Sequence, residues 1–183
     1  MKCAFIIAAA FWGVCGSAWS HGKAHQHGVL SLDIAVDVTQ ISVVMNAPLD
    51  NFVGFERAPL NDAERKRVDA AIQRLRAADV QFVVDPQAQC RLTHVKLTSS
   101  VLGLGTKGMS AAKGDHADID AVFEFTCANA RLAKHLDVGL FEAFPGMKRI
   151  DVQVAAGKGQ FKQTLKRPFK RISLQREQGN TGD

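Results

Sequence analysis

Alternating apolar and polar positions predict strands along most of the chain. From Val29 to Val38 every second residue is apolar, which is typical of a half-buried strand. Residues 37–40 suit a tight turn and the alternation then resumes, so residues 28–47 are predicted to form a hairpin. Similar patterns predict strands at 80–84, 91–102, 116–127, 150–155, 160–165 and 169–174.

Two segments carry apolar residues at helical spacing instead. Asn61 followed three residues later by Glu64 is a capping pattern, and the apolar stripe beyond it predicts a helix over roughly 62–78. Apolar residues recurring every fourth position from Leu132 to Phe144 predict a second helix over about 130–144. The predicted fold class is therefore α+β, with one or more antiparallel sheets and two principal helices packed on one face.

Residues 1–20 have the pattern of a cleavable signal peptide. Lys2 precedes an apolar run from Phe5 to Val14, and small residues at 18 and 20 suit a cleavage site before His21. The run is shorter than a membrane span, and no later segment is apolar over enough length to cross a membrane. We expect an exported protein without stable membrane insertion, consisting of one domain at 21–175 and a disordered tail at 176–183.

Removing the leader leaves two of the four cysteines, Cys90 and Cys127. In an oxidising compartment they most simply form a single disulfide bond. The alternative, a pair of thiolate metal ligands, is less favoured because neither cysteine belongs to a CxxC cluster.

The formal net charge of the whole chain is +5, and basic residues are densest at 166–171. Export argues against nucleic acid as a partner. The basic residues are interpreted as a solvated edge that discourages aggregation, with contact to an anionic membrane surface as the alternative.

Histidine and carboxylate residues in three places are candidate metal ligands. Three of the six histidines lie within seven residues directly after the leader, and neutral imidazole is the commonest protein ligand for zinc and copper. The strand predicted from residue 116 carries a histidine and carboxylates on one face, where nitrogen and oxygen can bind one metal. A disordered N-terminus and a hydrated strand face are the alternatives. The candidate ligands are His21, His25, His27, His116, Asp118, Asp120 and Glu56.

Five motifs are distributed through the mature chain. They are His25-x-His27-Gly28, Asn51-x-Val53-Gly54-Phe55-Glu56-x-Ala58-Pro59, His116-x-Asp118-x-Asp120 running into Phe125-Thr126-Cys127, Leu140-Phe141-x-x-Phe144-Pro145, and Gln153 with Gly159-Gln160. Their combination resembles the ZrgA-like family of periplasmic zinc-binding proteins, formerly a domain of unknown function. The resemblance implies zinc binding in the periplasm, in association with a zinc ABC importer.

The resemblance also implies which residues bind the metal. The His25/His27 pair and the His116/Asp118 pair are the best candidates, and Glu56 lies in the family-like Gly-Phe-Glu stretch. If the two pairs converge, they make a tetrahedral four-ligand zinc site. The chain departs from the family pattern at Arg57, where histidine is expected, and at loop 103–115, which lacks a run of histidines and acidic residues.

Two other functions stay open at this point. With His21 as the mature N-terminus, its amine and ring nitrogen can chelate copper together, which predicts a copper-handling protein. If the histidines are incidental, the chain is an envelope interaction protein without metal dependence. An enzyme is not expected, because the chain shows no convincing pairing of a nucleophile with a base.

Overall fold

The computed structural model describes residues 26–105 and 117–176. The predicted leader, His21, His25, His116, the part of the predicted loop from residue 106 on, and residues 177–183 lie outside the described residues. Within the described ranges, no helix has the length and apolar character needed to cross a membrane.

Nine strands and four helices make up the described part of the chain. In order they are β1 (Val29–Val36), β2 (Gln40–Pro48), α1 (Asp50–Val53), α2 (Asp62–Arg76), α3 (Ala78–Gln81), β3 (Phe82–Val84), β4 (Cys90–Thr98), β5 (Asp118–Cys127), β6 (His135–Val138), α4 (Leu140–Ala143), β7 (Arg149–Ala156), β8 (Gly159–Lys166) and β9 (Arg171–Ser173). Two 3-10 turns lie at Pro86–Ala88 and Ala130–Leu132.

A six-stranded sheet in the order β4-β5-β2-β1-β7-β8 forms the main layer, and β3-β6-β9 form a smaller sheet. The alternate apolar positions that predict the strands form the core-facing side of the large sheet. In β1, Leu30 and Leu32 are fully buried while Asp33 is exposed. Phe82 of the small sheet packs against Phe123 of β5 with ring centroids 4.9 Å apart, so the two sheets share one core.

The predicted hairpin at 28–47 and the predicted helix at 62–78 are confirmed. β1 pairs with β2 in an antiparallel ladder around the predicted turn. Helix α2 begins where the capping pattern predicts, because the Asn61 side chain accepts a hydrogen bond from the Glu64 N–H. The buried residues of α2 include Val68 and Leu75, which belong to the predicted apolar stripe.

The predicted helix at 130–144 is wrong. The segment forms a 3-10 turn, then the short strand β6 and the single turn α4. Leu136 and Val138 are buried on alternate positions of β6. A spacing of four residues between leucines is a multiple of the strand period of two, so the same pattern fits a strand as well as a helix. Helix α2 is consequently the one helix longer than a single turn among the described residues, and the expected pair of principal helices is not found.

The expectation of purely antiparallel sheets is also wrong. β1 pairs with β7 in a parallel register that sets Val29 beside Arg149. The strand predicted at 80–84 is shorter than expected, since 78–81 form the turn α3 and β3 begins at Phe82. These differences place the N-terminal strand inside the large sheet, between β2 and β7.

The disulfide between Cys90 and Cys127 is confirmed. The two residues are directly opposite in the β4–β5 ladder, and their sulfurs are 2.02 Å apart. Neither cysteine is left as a thiolate ligand. The disulfide lies at the end of β5 opposite to Asp118.

Candidate metal site

The hairpin formed by β1 and β2 brings His27 to Asp50. Ser31 pairs with Asn46 in the ladder, and continuing this register by four residues on each chain places His27 opposite Asp50. Asp50 begins α1 directly after β2, so its carboxylate turns back over the start of β1. Glu56 joins them from the loop that follows α1.

His27, Asp50 and Glu56 form a group of side chains that could hold a metal ion, named here the metal-ligand cluster. The Nδ1 atom of His27 is hydrogen-bonded to Oδ2 of Asp50 and lies 3.6 Å from Oε1 of Glu56. One ligand atom from each residue lies within 4.8 Å of the other two. The His27 side chain is 71% exposed, whereas Asp50 is only 20% exposed, so the cluster is open to solvent on its histidine side.

The environment of Asp50 fits a cation. Its Oδ1 atom is buried and has no hydrogen-bond partner among the described residues. Buried carboxylate oxygens are normally satisfied, because leaving one unpaired costs desolvation free energy. One imidazole nitrogen and two carboxylates are a donor set that zinc accepts in proteins.

Asn51 holds in place the backbone of residues 27–29, which is named here the histidine arm. This residue is 3% exposed, and its Oδ1 atom accepts a hydrogen bond from the Gly28 N–H at 2.6 Å. Its Nδ2 atom donates to the Val29 carbonyl at 2.7 Å. The residue after Asp50 therefore fixes the backbone directly after His27, which keeps two members of the cluster together.

Gly28 is required by the backbone at this point. Its φ is +79°, and an added Cβ would lie 3.0 Å from the Lys148 side chain and 3.2 Å from the Gly146 carbonyl. The Gly28 carbonyl accepts hydrogen bonds from the N–H groups of Lys148 and Arg149. The histidine arm is thus held from both sides, by Asn51 and by the segment that enters β7.

The loop that carries Glu56 is fixed on both sides of that residue. Arg57 donates two hydrogen bonds to the Glu64 carboxylate, at 2.7 and 2.9 Å. The Phe55 ring has the guanidinium of Arg57 5.0 Å from its centroid and that of Arg67 at 5.5 Å. Arg57, the position at which the family pattern predicts histidine, therefore pairs with α2 and does not belong to the cluster.

Charge in the cluster favours the protonated form of His27. The hydrogen bond to Asp50 raises the pKa of His27 above its usual value, the charges of Asp50 and Glu56 add to this, and Lys148 opposes it. When His27 is protonated, the proton on its Nδ1 atom faces both carboxylates. A metal ion bound at the same nitrogen would have to displace this proton.

Glu64 supplies a pH-dependent part of the stability around the site. Hydrogen bonds from Arg57, and then from the Leu60 N–H, lower the pKa of Glu64 from 4.5 to about 2. The stabilisation is therefore complete above pH 4.5 and is lost as the pH falls towards 2. We expect Glu64→Gln to destabilise the protein at neutral pH, and this difference from wild type to shrink across that range.

Urea denaturation at a series of pH values tests this expectation. Asp62→Asn is the matched control, because Asp62 pairs with Arg65 on the same helix but is 86% exposed. A difference between wild type and Glu64→Gln that stayed constant down to pH 2 would contradict the assignment.

The structure brings together some of the residues that the sequence predicts as ligands. His27 and Glu56 lie in the cluster, whereas Asp118 and Asp120 do not. Asp120 accepts a hydrogen bond from the Asn46 side chain at 2.7 Å. His21, His25 and His116 lie outside the described residues.

Asp50 was missed by the sequence analysis, which interpreted residues 48–51 only as a break in the strand pattern. Its signal is the hairpin register, which points from His27 to Asp50. The start of β5 is close to the same place, because the Leu49 N–H donates to the Ala117 carbonyl at 2.7 Å. The start of β1, the end of β2, the start of β5 and the loop that carries Glu56 thus meet beside Asp50.

A protein-family model matches most of the chain. No curated protein sequence matches the chain. The family model described as ZrgA family zinc uptake protein matches residues 24–174, a range that contains the whole metal-ligand cluster and all nine described strands. The chain therefore belongs to the ZrgA family of zinc uptake proteins.

Proposed function

We propose that the protein binds a zinc ion through His27, Asp50 and Glu56 and takes part in zinc uptake as a non-enzymatic binding protein. The observation that carries the proposal is the buried Oδ1 atom of Asp50, which lacks a hydrogen-bond partner within the described ranges and lies in a cluster of zinc-type ligands. Membership of a zinc uptake family supports zinc as the metal.

The exposure of the cluster suits a protein that releases its metal. His27 and Glu56 are 71% and 41% exposed, so an ion reaches them without any opening of the fold. Three protein ligands leave one position of a tetrahedral zinc ion, which a further residue of the chain is proposed to fill. A metal held in this way is accessible to an acceptor protein, which is the arrangement that transfer requires.

Residues near the cluster in the sequence are proposed to complete it. His25 precedes His27 by two residues, and His116 directly precedes Ala117, whose carbonyl is bonded beside Asp50. Asp118 follows at the start of β5, in register with Pro48. We place the fourth ligand among these three residues.

The cellular role follows from the leader and the family. A signal peptide at 1–20 directs the chain to the periplasm, and a zinc uptake protein there supplies a zinc ABC importer. The proposed partners are accordingly the zinc ion and components of that importer.

A titration of the metal-free protein with zinc, in competition with a chelator of known affinity, tests the proposal. His27→Ala, Asp50→Asn and Glu56→Gln are each expected to lower zinc affinity by about 100-fold or more, because loss of even an outer partner costs up to about 100-fold. His94→Ala and Asp62→Asn are the matched controls, since both residues are exposed and lie outside the cluster. Both controls should bind zinc as the wild type does.

The same titration separates the remaining ligand sets. Loss of affinity in His25→Ala, His116→Ala or Asp118→Asn identifies the fourth ligand. Wild-type affinity in all three cluster variants would overturn the proposed site. Tighter binding of copper than zinc that persists in those variants, and is lost in His21→Ala, would favour a copper-handling protein.

A further inference from the structure

A cleft lies at the end of the large sheet that is remote from the metal-ligand cluster. It has a volume of about 280 Å³ and opens beside the last residues of β1 and β7. The metal-ligand cluster lies before the first residue of β1, so the eight residues of this strand separate the two places by about 25 Å, at about 3.3 Å per residue. None of its lining residues belongs to the metal-ligand cluster.

The floor of this cleft is the uncovered end of the core face. Val36 and Ala156 continue the rows of inward-facing residues that include Ile34 and Val154, but they are only half buried. Phe161 is in register with Val154 on β8 and is also half buried. The smaller sheet therefore leaves this end of the apolar surface open to solvent, with the buried Leu174 as part of the lining.

The rim of the cleft is basic. Arg131, Lys158 and Arg176 come from three separate segments, and the described residues that line the cleft include no acidic one. None of the three forms an ion pair with another described residue. Among the described residues, the carboxylate nearest in sequence to the cleft lining is that of Asp37, next to Val36, and it accepts a hydrogen bond from the Val38 N–H in its own turn.

We propose that this basic cleft binds a small organic anion with an apolar body, of the medium-chain carboxylate class. The apolar body covers the half-buried floor, which removes Val36, Ala156 and Phe161 from water. The anionic group is bound by the rim, where three cations that have no carboxylate partner among the described residues attract it. A polar anion leaves the floor exposed, and a neutral apolar molecule leaves the cations without a partner.

Calorimetric titration of the full protein with octanoate tests the proposal. Octanol, which lacks the charge, and acetate, which lacks the apolar body, are the matched ligands, and both should bind at least about tenfold more weakly. Arg131→Gln with Lys158→Gln should weaken octanoate binding by about tenfold. Lys162→Gln is the control, because Lys162 is an exposed cation of β8 that does not line the cleft.

Amide chemical shifts locate the binding and keep the proposal falsifiable. Octanoate should move the resonances of Gly157, Phe161 and Gln175 and leave that of His27 unchanged. Equal binding of octanol and octanoate, or wild-type binding by the double variant, would overturn the proposal. Absence of octanoate binding together with a change of oligomeric state in the double variant would also overturn it, and would assign the cleft to a subunit interface.

Discussion

Replacing Asn51 with alanine is expected to weaken both the fold and zinc binding. The substitution removes two hydrogen bonds and leaves the Gly28 N–H and the Val29 carbonyl without their side-chain partner. The free energy of unfolding should fall by about 2–4 kcal/mol, since each buried group left unpaired costs about 1–3 kcal/mol. Zinc affinity should fall by about tenfold or more, because Asn51 acts as an outer partner that positions His27.

Urea denaturation and zinc titration of the same sample measure the two effects. Asn51→Asp is an informative second variant, because it keeps an acceptor for the Gly28 N–H and loses the donor to the Val29 carbonyl. Its loss of stability at neutral pH should be at least as large as that of Asn51→Ala, because a buried carboxylate oxygen then faces the Val29 carbonyl oxygen. Unchanged zinc affinity in a clearly destabilised Asn51→Ala protein would show that Asn51 is structural only.

Removing the disulfide with Cys90→Ser and Cys127→Ser is expected to destabilise the fold to a similar degree without affecting zinc. The bond joins residues 37 positions apart, and a loop of this size gives about 4 kcal/mol in the chain-entropy model. The pair lies at the end of β5 opposite to the residues beside Asp50, so the metal-ligand cluster should keep its geometry.

The disulfide variant is therefore the control for Asn51→Ala. Both proteins lose several kcal/mol, and only the Asn51 variant should lose zinc affinity at a temperature where both are folded. If the disulfide variant lost affinity in proportion to its stability, the zinc affinity would report on the global fold and the positioning role of Asn51 would be contradicted.

The sequence predicts those elements whose pattern is local and has a single solution. The hairpin at 28–47 and the helix from Asp62 are of this kind, because a period of two and a capped period of 3.6 each fit one structure. The segment 130–144 fits two, since its leucines repeat every fourth residue while His135 to Val138 also alternate. Pairing with β3 and β9 in the smaller sheet decides for the strand, and a single sequence contains no signal of that pairing.

The parallel pairing of β1 with β7 is beyond prediction for a related reason. It joins Val29 to Arg149, and the strand pattern of each segment is the same whichever neighbour it has.

The candidate site was predictable in part. His27 and Glu56 stood out as ligand-type residues, but Asp50 lies in a turn where acidic residues are common. Only the ladder register shows that Asp50 is opposite His27.

The contacts of Gly28 with Lys148 and Arg149 set the order in which the protein can acquire its proposed activity. The cluster residues all lie within the first third of the chain, yet the arm that carries His27 is clamped by a segment about 120 residues later. Such distant closure is slow, and it comes late in folding. A chain that emerges N-terminus first would therefore carry all three cluster residues long before it could hold a metal firmly, and metal capture would mark the completion of folding.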